Sequence, residues 1–91
     1  MVGWLARALA GHDKEHIYII IEETKDDVFL VDGIYKTMAK PKKKNKRHIQ
    51  IWKNQMSELE DIRKKLLDGQ PIRDEEIKRA IKLVMKSEME E

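Results

Sequence analysis

The chain has no cysteine, two prolines, four glycines and five aromatic residues among its 91 positions. Without cysteine it forms no disulfide, no thiolate zinc site and no thiol nucleophile, and its composition suits a reducing compartment. A core of this size is marginal, so packing or a partner surface must stabilise it without covalent staples. Long apolar runs are also missing. The longest, residues 17–21, falls far short of the ~20 residues a membrane helix needs. The first ten residues are mildly apolar but are interrupted by Arg7 and have no basic leader, so they do not read as a secretory signal. These features together predict a cytoplasmic protein without a membrane partner.

A third absence is local. Residues 36–53 contain eight lysines or arginines and no acidic residue, although acids outnumber bases in the rest of the chain. Formal net charge is only +2, so the asymmetry carries the information rather than the total. A lysine run is often no more than a solvated face. Here Pro41 biases Lys40 toward extended backbone, which splays the following ammonium groups, and Lys36 and Lys53 widen the field on either side. Crowding like charges opposes folding, and a polyanion relieves it; nucleic-acid phosphate is the commonest such partner. The expected contacts are Lys36, Lys40, Lys42, Lys43, Lys44, Lys46, Arg47, His48 and Lys53. Lysines confer affinity rather than base selectivity, leaving Arg47, His48 and nearby aromatics for more directional contacts.

The chain reads as two parts. Residues 1–52 resolve into short strands: 17–22, then 28–31 closed by Asp32-Gly33 as a hairpin turn, 34–38 returning, and 48–52 with polar–apolar alternation. The first ten residues are ambiguous between helix and strand, and a strand there completes five. Five short strands at this spacing predict a small barrel, with residues 40–48 as a basic loop. Residues 53–91 read as a helical hairpin appendage. Ser57 and Glu60 form a capping-box pattern, and Leu59, Ile62, Leu66 and Leu67 form an apolar stripe. Gly69 and Pro71 end that helix, and Asp74 is the expected cap of a second one. Its stripe is Ile77, Ala80, Ile81, Val84 and Met85, with fraying expected from residue 85 onward. The two stripes can meet each other, lie on the barrel or await a partner. The fold class is therefore mainly β plus α.

Several segments in order resemble a known family. Ala10-Gly11-His12-Asp13-Lys14 precedes the first apolar strand. Leu30-Val31-Asp32-Gly33 is followed by Lys40-Pro41-Lys42-Lys43-Lys44 and then His48-Ile49-Gln50. Over roughly residues 3–52 this resembles the small bacterial KOW-domain RNA-binding proteins, themselves similar to an archaeal and eukaryotic group of large-subunit ribosomal proteins. The helical stretch beginning Asp68-Gly69-Gln70-Pro71 is similar to the tails found in that group. The resemblance implies a five-stranded SH3-like barrel and an RNA partner, ribosomal RNA or the ribosome. In the family pattern the first hairpin loop is basic, bears glycine and contacts RNA. Gly11 and Lys14 match it, and His12 stands where a basic residue is usual. Leu9 replaces a common lysine and Glu15 a second glycine, which leaves this loop less cationic. His12 and Lys14 are accordingly secondary RNA-binding candidates.

No pattern for catalysis or a cofactor emerges. His12 and His16 are four apart, a metal-ligand spacing on a helix, but they fall in a turn running into a strand, and no third ligand follows at a suitable distance. No glycine-rich phosphate cradle precedes a helix, and no serine has triad partners. Asp26-Asp27 and Asp32 read as turn residues. Trp4, Tyr18, Phe29, Tyr35 and Trp52 read first as core or rim residues, with Tyr35 and Trp52 the two placed to stack on a base. The leading expectation is a non-enzymatic RNA-binding protein. The alternatives are a protein–protein adaptor using the C-terminal helices and a DNA or transcription-complex factor. A nuclear import signal in residues 41–47 and attraction to anionic lipid rank below these.

Overall fold

The computed structural model describes residues 1–9, 16–54 and 56–89. Five strands are followed by two helices: β1 Leu5–Ala8, β2 Ile17–Glu23, β3 Asp27–Val31, β4 Lys42–Asn45, β5 Ile49–Trp52, α1 Ser57–Leu67 and α2 Asp74–Met89. A short 3-10 helix, Lys46–His48, joins β4 to β5. The strands form one open antiparallel sheet in the order β4-β3-β2-β1-β5, with β4 and β5 at the edges. The ambiguous start of the chain is therefore a strand, pairing with both β2 and β5.

Strand alternation divides the apolar residues between two clusters. Leu5, Ile17, Ile19 and Val31 face the helices, where Leu59, Ile62, Ile72, Ile77, Ala80, Ile81 and Val84 meet them. Ala6, Tyr18, Ile20, Val28, Leu30 and Ile49 occupy the opposite face. Among the described residues no helical residue belongs to that second cluster, and Ile20, Val28 and Leu30 within it are fully buried. A bulge between Ile20 and Glu22 supplies extra local twist. The helical stripes thus lie on the sheet. Leu67 and Met85, expected within them, are instead exposed.

The hairpin expected at Asp32-Gly33 does not form, and residues 34–38 are not a strand. β3 pairs with β4, so Lys42–Asn45 of the supposed lysine loop is an edge strand and Lys46–His48 a 3-10 helix. The reason lies in Asp32. Its Oδ1 accepts the backbone N–H groups of Ile34, Tyr35 and Lys36 at 2.9, 2.9 and 2.8 Å, taking donors that a ladder would need. Lysine is a poor strand former in a sheet centre, but at an edge its long side chain reaches water and discourages pairing with other chains.

Both helix starts depart from expectation. Ser57 is already the first helical residue of α1, so its box with Glu60 is out of phase, and Met56 occupies the capping position without a side-chain bond. Before α2, Glu76 accepts the Arg73 backbone N–H at 2.9 Å, so the reach-back contact forms around Arg73. Asp74 does something else. Its Oδ1 accepts the Met38 N–H at 2.7 Å, tying the helix start to the loop before β4. The α1 stop is as expected: Gly69 has φ +71°, with Gly69 N bonded to Leu66 O and Gln70 N to Lys65 O. The fraying expected from residue 85 is not observed, since α2 continues to Met89.

Candidate nucleic-acid interface

The basic segment begins in a loop whose shape is closely determined. The N–H groups of Asp32 and Gly33 both donate to Lys36 O, at 2.9 and 3.1 Å, while the Asp32 side chain holds the three N–H groups between them. Gly33 has φ +80° and sits against α2; a Cβ there would lie 2.4 Å from Asp74 O. A second tight turn follows, in which Lys40 N donates to Thr37 O at 3.0 Å, and Pro41 then leads into β4. Lys36 and Lys40 therefore extend from an ordered backbone anchored on a helix.

Alternation along β4 divides its lysines between faces. Lys42 and Lys44 pair with Leu30 and Val28, so they share the face of the second cluster. The Lys42 ammonium lies 5.7 Å from the centre of the Tyr18 ring. Lys43 pairs with Phe29 on the other face and lies 3.8 Å from the Asp27 carboxylate. The splaying anticipated from Pro41 thus arises mainly from strand pleating. Asn45 then caps the 3-10 helix, its Oδ1 accepting the Arg47 N–H at 2.9 Å, and leaves the Arg47 and His48 side chains exposed.

Not every cation in the segment is available to a ligand. Lys46 bonds Glu23 at 2.6 Å, and Glu23 also receives the N-terminal ammonium at 3.0 Å. These donors, Lys46 first, hold the Glu23 carboxyl below its usual pKa. Lys53 projects over the Trp4 ring at 5.5 Å, whose other cationic neighbour, the Arg63 guanidinium, stacks at 3.8 Å. Among the described residues, Lys36, Lys40, Lys44, Arg47 and Lys53 have no carboxylate within 4 Å. Those five are the electrostatic surplus of the segment. His12 and Lys14 lie outside the described residues.

The fold also places groups together that sequence spacing did not connect. His16 Nε2 meets Asp32 Oδ2 at 2.6 Å. Burial opposes ionisation of Asp32, but the Lys36 and Ile34 N–H donors and the His16 ring outweigh it, and its pKa falls below the usual aspartate value. The His16 ring lies 4.8 Å from Tyr18 and 6.3 Å from Tyr35, in an edge arrangement with the latter. Tyr35, His16, Tyr18 and Lys42 thus follow one another in a row of neighbouring groups, of which Tyr18 is buried. The aromatics differ sharply in exposure. Tyr35 is 78% exposed, whereas Trp52 is half-buried on the helix-side core with the Arg7 guanidinium 5.8 Å from its ring centre. Asp32, read from sequence as a turn residue, proves to join His16 to the loop that carries Tyr35; its place before Gly33 was the only signal.

Among the described residues, no helix is long and apolar enough to cross a membrane. Compared with known proteins, this chain matches no protein-family model and no curated protein sequence.

Proposed function

We propose that this protein binds structured RNA, without catalysing a reaction on it, by docking a cationic edge strand and its flanking turns on backbone phosphates. The observation that carries the reading is the acid-free segment itself. It is held on ordered backbone from the Asp32 loop through β4 to β5, with Lys36, Lys40, Lys44, Arg47 and Lys53 unopposed by described carboxylates. Phosphate contacts release condensed counterions, which makes such binding strongly salt-dependent. The family resemblance extends the proposal to a KOW-type, SH3-like barrel acting on ribosomal RNA or ribosomes in the cytoplasm. The strand order, with β1 between β2 and β5, and a second apolar cluster of strand residues support the barrel reading. The adaptor alternative needs apolar helix surface, and most of that surface is occupied by the sheet.

The test is titration of a fluorescent structured RNA against the wild-type protein and a Lys40→Gln, Lys44→Gln, Arg47→Gln variant at several salt concentrations. With about six phosphate contacts, wild-type affinity falls on the order of a thousandfold between 50 and 200 mM salt. The variant binds more weakly with a shallower salt slope, at an unchanged melting temperature, because none of the three side chains has a described carboxylate partner. Equal affinity and slope in the two proteins would reject the proposal. Preference for duplex DNA in a competition at fixed salt would instead favour a DNA-directed role.

A further inference from the structure

We infer that Tyr35 is a stacking platform for an unpaired nucleobase, placed beside the phosphate-binding cations; this rests on the RNA-binding reading above. An exposed tyrosine alone is unremarkable. The case comes from how this one is held. Residues 32–36 carry five backbone hydrogen bonds, three to the Asp32 carboxylate and two to Lys36 O. Gly33 seats the loop on α2, and Asp74 anchors the chain again at Met38. The Tyr35 backbone is therefore ordered before any ligand arrives, which lowers the entropic cost of using its side chain. His16 meets the ring edge-on at 6.3 Å between centres, and 78% of the residue is open.

Its surroundings suit a nucleotide better than an apolar partner. Lys36 follows directly and Lys40 lies one short turn further along, both without a carboxylate within 4 Å among the described residues. Among the described residues, the carboxylate bonded within this loop is Asp32. It is 3% exposed and saturated by three N–H donors and an imidazole, so it presents little negative charge to a phosphate. A base lying on the open ring face would place its own phosphates among these ammonium groups. Stacking requires a base released from its pair, and it tolerates any base identity because every base has a π face. The ligand class is thus RNA with a bulged or looped-out nucleotide rather than a continuous duplex.

The experiment compares two hairpin RNAs, identical except for one bulged nucleotide, by fluorescence anisotropy with the wild-type protein, Tyr35→Ala and Tyr35→Trp. Wild type should prefer the bulged hairpin. Tyr35→Ala should lose about five- to a hundredfold in affinity for it while keeping its affinity for the unbulged hairpin and its salt slope. Tyr35→Trp should retain the preference. Should Tyr35→Ala match wild type on the bulged RNA, or lose equally on both RNAs, stacking is overturned while the lysine-based proposal stands on its own titration. If wild type binds neither hairpin at low salt, both readings fall together.

Discussion

Asp32 is a short acid placed where a turn residue is expected, yet its two oxygens hold an imidazole and three backbone N–H groups. Removing it with Asp32→Ala orphans those donors at the base of the Tyr35 loop. A loss on the order of 2–3 kcal/mol is expected, read by chemical denaturation. Asp32→Asn retains one acceptor oxygen and should lose less. The acid limb of stability provides a second readout. Because the native pKa of Asp32 lies below the ordinary value of 3.8, the unfolded chain takes up the proton first as pH falls. The stability it contributes is complete at neutral pH and is lost from about pH 4 downward. Asp32→Asn should flatten that decline without abolishing it, since Glu23 and Glu76 also titrate below their usual value. A variant as steep as wild type would show that Asp32 does not anchor the loop. None of this network is visible in the string Asp32-Gly33-Ile34, because the competing donors are backbone atoms and His16 is sixteen residues away.

At the scale of elements, strands 2, 3 and 5 were legible because β-branched residues and alternation mark buried or half-buried strands. Gly69 was legible too, because a left-handed stop requires almost nothing but a local backbone conformation. The strand that sequence reasoning missed is β4. Its residues, Lys-Lys-Lys-Asn, carry no apolar signal, and it exists because β3 offers a free edge and its charged side chains remain wet. Helix caps erred for a related reason: a one-residue shift in the start moves Ser57 inside α1 and frees Asp74 for Met38. Two glycines separate local from tertiary demands. Gly69→Ala meets no atom within 4 Å and should cost about 1 kcal/mol, through its positive φ alone. Gly33→Ala meets that cost and also drives a Cβ into the α2 backbone at Asp74 and Lys78, so a loss of at least about 2 kcal/mol is expected. Thermal melts should order them accordingly, roughly 4–8 °C per kcal/mol for a domain this small. Equal shifts would mean that the loop does not seat on the helix.

Across the whole molecule, one apolar cluster draws residues from four sheet positions and from both helices. The segment before β1 is joined to α1 as well, since Gly3 leaves room for Arg63 to lie over Trp4; a Cβ there would clash with Arg63 Cγ. A fragment ending at Lys53 would expose Leu5, Ile19 and Val31, which are fully buried in the intact chain. Exposing apolar surface costs about 25 cal/mol per Å², and a chain this small has little stability to lose. The fragment should melt without a cooperative transition by circular dichroism. A sharp transition near the full-length temperature would show that the sheet is stable without its helices. The proposed RNA binding is therefore best tested with point substitutions in the intact protein.

The sequence by itself determined the class of the fold, the location of the surplus charge and the helical stop at Gly69, because alternation, helical period, charge runs and glycine backbone freedom are local properties. Which residues become strand, which cations remain unpaired and which aromatic faces solvent were decided by tertiary structure. Each of those outcomes depends on groups far apart in the chain: β3 offering its edge to β4, Glu23 taking Lys46, and Asp32 joining His16 to the loop that carries Tyr35.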